Sequence, residues 1–162
     1  MKKLLFISLA SISLFASSCK KGQADYPACC AMNIPSSIVA EKNSVAWIGR
    51  AEAFRVNADT IAISGRQTEQ MLTMKIKFTG KGIYPLRAGQ ATHYLTVGGD
   101  VSVAEYVVDD TAVNTLEITE YNDTRQYIKG KFSLTMKLAY ANGNYPATIK
   151  FDKGTFLQFL PK

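Results

Sequence analysis

Residues 127–141 read "YIKGKFSLTMKLAYA". Ile128, Phe132, Leu134, Met136, Leu138 and Tyr140 fall on one face of a period of two, interrupted only by Gly130. Lys129, Lys131, Ser133, Thr135 and Lys137 fall on the other. Successive side chains of a strand point to opposite sides, so this alternation predicts an antiparallel strand with one face in a core and the other in water. A membrane-spanning barrel would need an apolar outward face across the lipid, and a row of lysines argues against one.

The same period recurs on either side. In "QMLTMKIKFTG", Leu72, Met74, Ile76 and Phe78 alternate with Thr73, Lys75, Lys77 and Thr79. Further strand candidates are "SSIVAEK", "VAWIG", "AEAFRVN", "TIAISGR", "THYLTVG", "VSVAEYVVD", "TLEITEYND", "ATIKFD" and "TFLQFL". Turn signals divide them: "EKNS", "NAD", "TGKG", "GGD", "NDT" and "DKG". In "YANGNYP", Asn142 and Gly143 suit a tight hairpin. No segment beyond the leader carries a helical period. The expectation is an all-β domain, an antiparallel β-sandwich or small closed barrel of about 8–10 strands, following an N-terminal signal segment and a flexible tether. Trp47, in "NSVAWIG", is expected to plug the core where the first hairpin closes.

The start of the chain has a different logic. Lys2 and Lys3 precede "LLFISLASISLF", an apolar run of about 12 residues, which suits a signal segment and is too short to span a bilayer. Ala16, Ser17 and Ser18 then lead to Cys19. The pattern resembles the bacterial lipobox, with Ala16 where Leu is commoner. It predicts a lipoprotein signal peptide over residues 1–18, and a lipidated Cys19 with its tether over 19–35. A single β domain is expected over 36–162. Two or three acyl chains on Cys19, at about 0.8 kcal/mol per buried methylene, would bind the chain durably to a membrane.

Cys29 and Cys30 complete the cysteine count. Adjacent Cα atoms lie 3.8 Å apart across a trans peptide, below the usual disulfide range, so a bond between these two would be strained. A redox pair, a bond to another chain and two free thiols all stay open. A metal site has a poor ligand set in two neighbouring thiols and the sole histidine, His93.

Composition narrows the partners. The net charge of +6 falls to about +4 once Lys2 and Lys3 are removed, and it is spread along the chain, so nucleic acid is not an expected partner. No nucleophile elbow, H-E-x-x-H helix or phosphate-cradling loop is present, and no cofactor is expected. His93, in "ATHYLTV", reads as a sheet-surface histidine. Asp109 and Asp110 in "VVDDTAVN", with Asn114 nearby, form a candidate cation or acid cluster whose alternative is a solvated turn. Glu117, Glu120 and Asp123 are expected to face basic residues across the sheet, with Arg125 and Lys129 as suitable partners. Tyr94, Tyr106, Tyr121 and Tyr127 are candidate ligand-binding residues, since tyrosines at strand ends or on polar faces can stack on a sugar or anchor a protein interface.

Four pieces, "NSVAWIG", "FTGKGIYPL", "LEITEYNDTRQYIKGKFSL" and "FDKGTFLQFL", carry a likeness that covers roughly residues 36–162. Their layout resembles the small uncharacterised β-rich lipoproteins of Bacteroidota, a family without an assigned function. Lys42–Asn43–Ser44 stands where that family usually has an "NG" turn, and the double cysteine is unusual for it. The resemblance implies a bacterial outer-membrane location, lipid-anchored and facing either the periplasm or the cell exterior, and it carries over no catalytic residue. The expected function is a non-enzymatic binding or assembly module for a protein or glycan. A carbohydrate-active enzyme using Asp109, Asp110 or Glu105 is one alternative. A calyx-type binder of small ligands is the other, and an internal apolar cavity would favour it.

Overall fold

A computed structural model describes residues 36–161; Cys19, Cys29, Cys30 and the expected signal and tether lie outside the described residues. Ten strands follow one another without a helix among the described residues: β1 (Ser37–Lys42), β2 (Val45–Arg55), β3 (Thr60–Gln67), β4 (Gln70–Lys77), β5 (Gly82–Pro85), β6 (Ala91–Val97), β7 (Val101–Val108), β8 (Thr115–Asn122), β9 (Tyr127–Ala141) and β10 (Thr148–Phe159). Every pairing is antiparallel. The order β10-β1-β2-β3-β4-β6-β7-β9 returns to β10 through a direct β9–β10 ladder, so the sheet closes into a barrel. Closure removes most exposed edges, which a flat sheet of polar-faced strands would leave open to pairing with other chains.

β9 is the spine of this closure. Its Tyr127–Lys137 stretch pairs with β10 on one edge. Its other edge is shared end to end, Tyr127–Ser133 pairing with β8 and Met136–Ala141 with β7. β7 and β8 are therefore one ribbon position broken by residues 109–114. β5 and β6 repeat the arrangement, pairing with β8 and β7 respectively and broken by residues 86–90. The two breaks face each other. Leu86 N–H donates to the Asn114 carbonyl at 2.9 Å, and Ala88 N–H donates to Asp110 Oδ1 at 2.8 Å.

Alternation along β9 puts Ile128, Phe132, Leu134 and Met136 inside, as its sequence predicts, but Tyr140 is 51 % exposed, because a bulge opposite Glu105 and Tyr106 breaks the period after Leu138. Gly130 breaks the run because its inward position is already filled: a Cβ there would overlap the Glu117 carbonyl oxygen and the Phe156 ring. Gly65 has the same role under Trp47, where a Cβ would lie 2.8 Å from the indole and collide with Ile38. Trp47 is 2 % exposed and is the core plug that its sequence context suggests.

The structure also revises several segment boundaries. "VAWIG" and "AEAFRVN" are one continuous strand, β2. "ATIKFD" and "TFLQFL" are likewise one strand, and the "DKG" between them is a bulge in β10, with Lys153 at φ 52° rather than a chain reversal. "NGN" is not a tight hairpin: β9 runs on to Ala141 to meet β7, and the link to β10 occupies residues 142–147. β5 has too few residues to show a period, and its strand character comes from β8 beside it.

Candidate functional site

One end of the barrel contains a cavity of about 240 Å³, lined by Lys42, Asn43, His93, Leu95, Tyr106, Tyr145, Pro146 and Ile149. Its rim is built by local turn chemistry. Asn43 and Ser44 both have positive φ, 50° and 66°, the signature of a two-residue type I′ turn between β1 and β2. Asn43 then clamps this hairpin tip to β10. Its Oδ1 accepts from Lys150 N–H at 2.8 Å, and its own N–H donates to the Lys150 carbonyl at 2.9 Å. Lys42, just before the turn, is thereby held at the barrel end, where its Nζ donates to Gln70 Oε1 on β4. Tyr145 and Pro146 come from the β9–β10 link, whose position Tyr106 fixes by donating from its hydroxyl to the Pro146 carbonyl at 3.0 Å.

The floor of the cavity is aromatic. His93 has no exposed surface; it is a core residue, not the sheet-surface histidine its sequence context suggests. Its register explains why: His93 pairs with Leu72 on β4 and Tyr106 on β7, both inward-facing. The ring meets Phe151 edge-on at 5.1 Å, Trp47 edge-on at 6.5 Å and Tyr106 at 6.1 Å. Among the described residues neither ring nitrogen makes a hydrogen bond of ordinary geometry, although the Met71 backbone lies near the ring, and Trp47 Nε1 beside it has no partner either.

Electrostatics follow from this setting. Burial, reinforced by the Lys42 charge, pushes the His93 pKa down to about 3, and the Met71 backbone opposes this only in part. His93 is therefore a neutral imidazole near pH 7, with one N–H donor and one acceptor nitrogen. Burial also lowers Lys42 below the usual lysine range, and burial with Tyr145 close by raises Tyr106. Among the described residues no carboxylate lines the cavity.

The four candidate tyrosines do not converge. Tyr106 is inside the barrel at the cavity floor, 1 % exposed. Tyr121 is half-buried at the rim of another part of the core, stacked edge-on against Phe78 at 5.1 Å, with its hydroxyl donating to Asp123. Tyr127 lies against Phe159 at 6.2 Å and donates to Glu120. Tyr94 pairs with Glu105 on the opposite side of its strand from His93. Only Tyr106 meets the cavity, together with Tyr145.

Asp109 and Asp110 sit in the break between β7 and β8. Asp109 Oδ1 accepts from the Thr111 N–H at 3.1 Å and hydroxyl at 2.8 Å, and these bonds hold its carboxyl below the usual range. Asp110 is bonded to Ala88 across the gap. Among the described residues no group of three or more His, Cys, Asp or Glu is placed to hold a metal ion. The cross-strand reading of the acids holds at Glu120, whose Oε2 lies 2.9 Å from Lys129 Nζ. Arg125 instead uses its backbone N–H, donating to Asn122 Oδ1.

Sequence reasoning missed the site because its parts lie on five separate segments. A faint signal was available: His93 alternates with Ala91 and Leu95, which puts it on the apolar face of "ATHYLTV". The model of a domain-of-unknown-function family, DUF6252, matches residues 35–159. The chain belongs to the DUF6252 family. The matched range contains the whole DUF6252 barrel, with the Lys42 rim and the His93 floor. No curated protein and no solved structure matches the chain.

Proposed function

We propose that this DUF6252 domain is a non-enzymatic binding module that takes a small ligand into the end of its barrel, held at the bacterial outer membrane by a lipidated Cys19. One observation carries the binding reading: the cavity ends on a fully buried histidine whose ring nitrogens make no hydrogen bond of ordinary geometry among the described residues. Buried polar groups normally find partners, and leaving one unmade costs about 1–3 kcal/mol. Groups left in that state gather where a ligand completes them. The lining adds apolar contact through Leu95, Ile149, Pro146 and two tyrosine rings, the mix of apolar wall and few polar groups that small-ligand sites use. A calyx-type receptacle is favoured over a glycan platform because the candidate tyrosines face different ways.

The acids of the enzyme alternative have structural work already, Asp109 in its turn and Asp110 in the bond to Ala88. The lipobox-like "ASSC" at 16–19 supports the anchor, and the two readings are separable. For the receptacle, a mixture of small polar-aromatic fragments is added to the isotope-labelled full-length chain in detergent micelles. Backbone and methyl shifts should cluster at Lys42, Leu95, Tyr106 and Ile149, and Leu95→Trp should suppress them; shifts scattered over the outer surface would overturn the reading. For the anchor, the intact mass of the membrane-extracted protein should show a diacylglycerol that Cys19→Ser removes. An unmodified Cys19 would reject the anchor alone.

A further inference from the structure

We infer that the ligand of this cavity is a small organic anion, a monocarboxylate with a short apolar body, whose carboxylate pairs with Lys42 while its body lies against Leu95, Ile149 and the tyrosine rings. The inference rests on the receptacle reading and adds the ligand's chemistry to it.

Among the described residues Lys42 is the one charged side chain in the lining, and no carboxylate of theirs lies within salt-bridge reach of its Nζ. Its recorded partner is a neutral amide oxygen, that of Gln70. Other lysines near carboxylates on this barrel take them, as Lys129 does Glu120, Lys153 does Glu41 and Lys77 does Asp59. A half-buried ammonium without a counter-ion is unfavourable, and burial already lowers its proton affinity. An anion entering the cavity relieves that cost; a cation would meet the Lys42 charge with no acid to receive it. The groups facing the space from each packed element agree. β1 contributes Lys42, β6 a neutral His93, β7 and the β9–β10 link the phenols of Tyr106 and Tyr145, and β10 only Ile149. Neutral imidazole supplies one donor to a carboxylate without asking for a second charge. Size agrees: a cavity of about 240 Å³ falls just below the roughly 300–1,000 Å³ of drug-sized ligand sites, so it suits a small body.

The chain has one histidine, so a full-length chain without a histidine tag, labelled at histidine Cε1, reports the cavity floor through one resonance. Benzoate and hexanoate are titrated against benzamide and hexanamide, with the wild type, Lys42→Met and Gln70→Glu. Gln70→Glu keeps the lysine and gives it an internal counter-ion, so it serves if Lys42→Met does not fold. The expected result is that a carboxylate moves the His93 resonance at a concentration about tenfold lower than its amide, and that both variants erase the difference. Equal binding of amides and carboxylates would overturn the anion inference and leave the receptacle standing. Retention of the preference in both variants would remove Lys42 from it. Silence of the His93 resonance with all four compounds, alongside fragment binding elsewhere on the chain, would end both readings.

Discussion

At the scale of single residues, the barrel carries two departures from ordinary packing, and they have opposite consequences. Gly130 is a concession to shape. Gly130→Ala pushes a methyl into the Glu117 carbonyl and Phe156, so we expect a loss of about 3 kcal/mol, seen as a lowered urea midpoint with unchanged slope. His93 is a departure in polarity. Its pKa of about 3 in the folded chain lies below the unfolded value near 6.5, so the unfolded state binds the extra proton first. The stability it supports is complete above pH 6.5 and is lost as pH falls toward 3, on the order of 5 kcal/mol over that window. Urea unfolding at pH 7 and pH 4 checks this. His93→Leu should flatten the difference and match or exceed the wild type at pH 7, because two unpartnered nitrogens are gone. An equally steep acid loss in His93→Leu would place the titrating group elsewhere. Gly130 was visible in the sequence as a gap in a period, whereas the polarity of His93's surroundings was not, since Trp47 and Phe151 reach it from strands distant in the chain.

At the scale of elements, the broken ribbons β5/β6 and β7/β8 depend on one side chain. Asn114 is 4 % exposed; its Nδ2 donates to the carbonyls of Asp109 at 2.8 Å and Ala112 at 3.0 Å, and its Oδ1 accepts from Thr135 N–H at 2.7 Å. These bonds extend the one backbone bond that residues 109–114 make with β9, from Asp109 N–H to the Thr135 carbonyl at 3.0 Å. Asn114→Leu strands the Thr135 N–H and the Ala112 carbonyl, while the Asp109 carbonyl keeps the Ala112 N–H at 3.1 Å, and we expect a cost of about 2–4 kcal/mol. Hydrogen exchange should quicken first at residues 86–90 and 109–114, and uniform exchange across the barrel would contradict this local role. "VVDDTAVN" announces a turn, and a turn it is. That the turn interrupts a ribbon and needs a buried amide emerges only when β9 runs alongside it.

At the scale of the whole molecule, closure joins the ends of the domain: β1 pairs with β10 from Ser37↔Leu157 to Lys42↔Phe151, and β10 pairs with β9 over its other edge. Removing residues 154–162 deletes partners of both β1 and β9 and opens the ring. We expect the shortened chain to lose its cooperative thermal transition, followed by circular dichroism, and a retained sharp transition would show that the remaining strands are stable without closure. Closure also creates the cavity, because Lys42, His93, Tyr145 and Ile149 share an end only once the ring is shut.

The all-β class, the antiparallel pairing and most of the inward and outward faces of β4 and β9, Thr73 and Tyr140 excepted, were determined by the chain alone, because a period of two is a local property of consecutive side chains. So were the core role of Trp47 and the solvent face of the lysines. The tertiary structure decided that the sheet closes, that β2 and β10 run through their apparent breaks, and that a lone histidine becomes the floor of a cavity. Those outcomes depend on which strands lie side by side. Register between segments far apart in sequence is set by the summed packing of the core, not by any one segment's pattern.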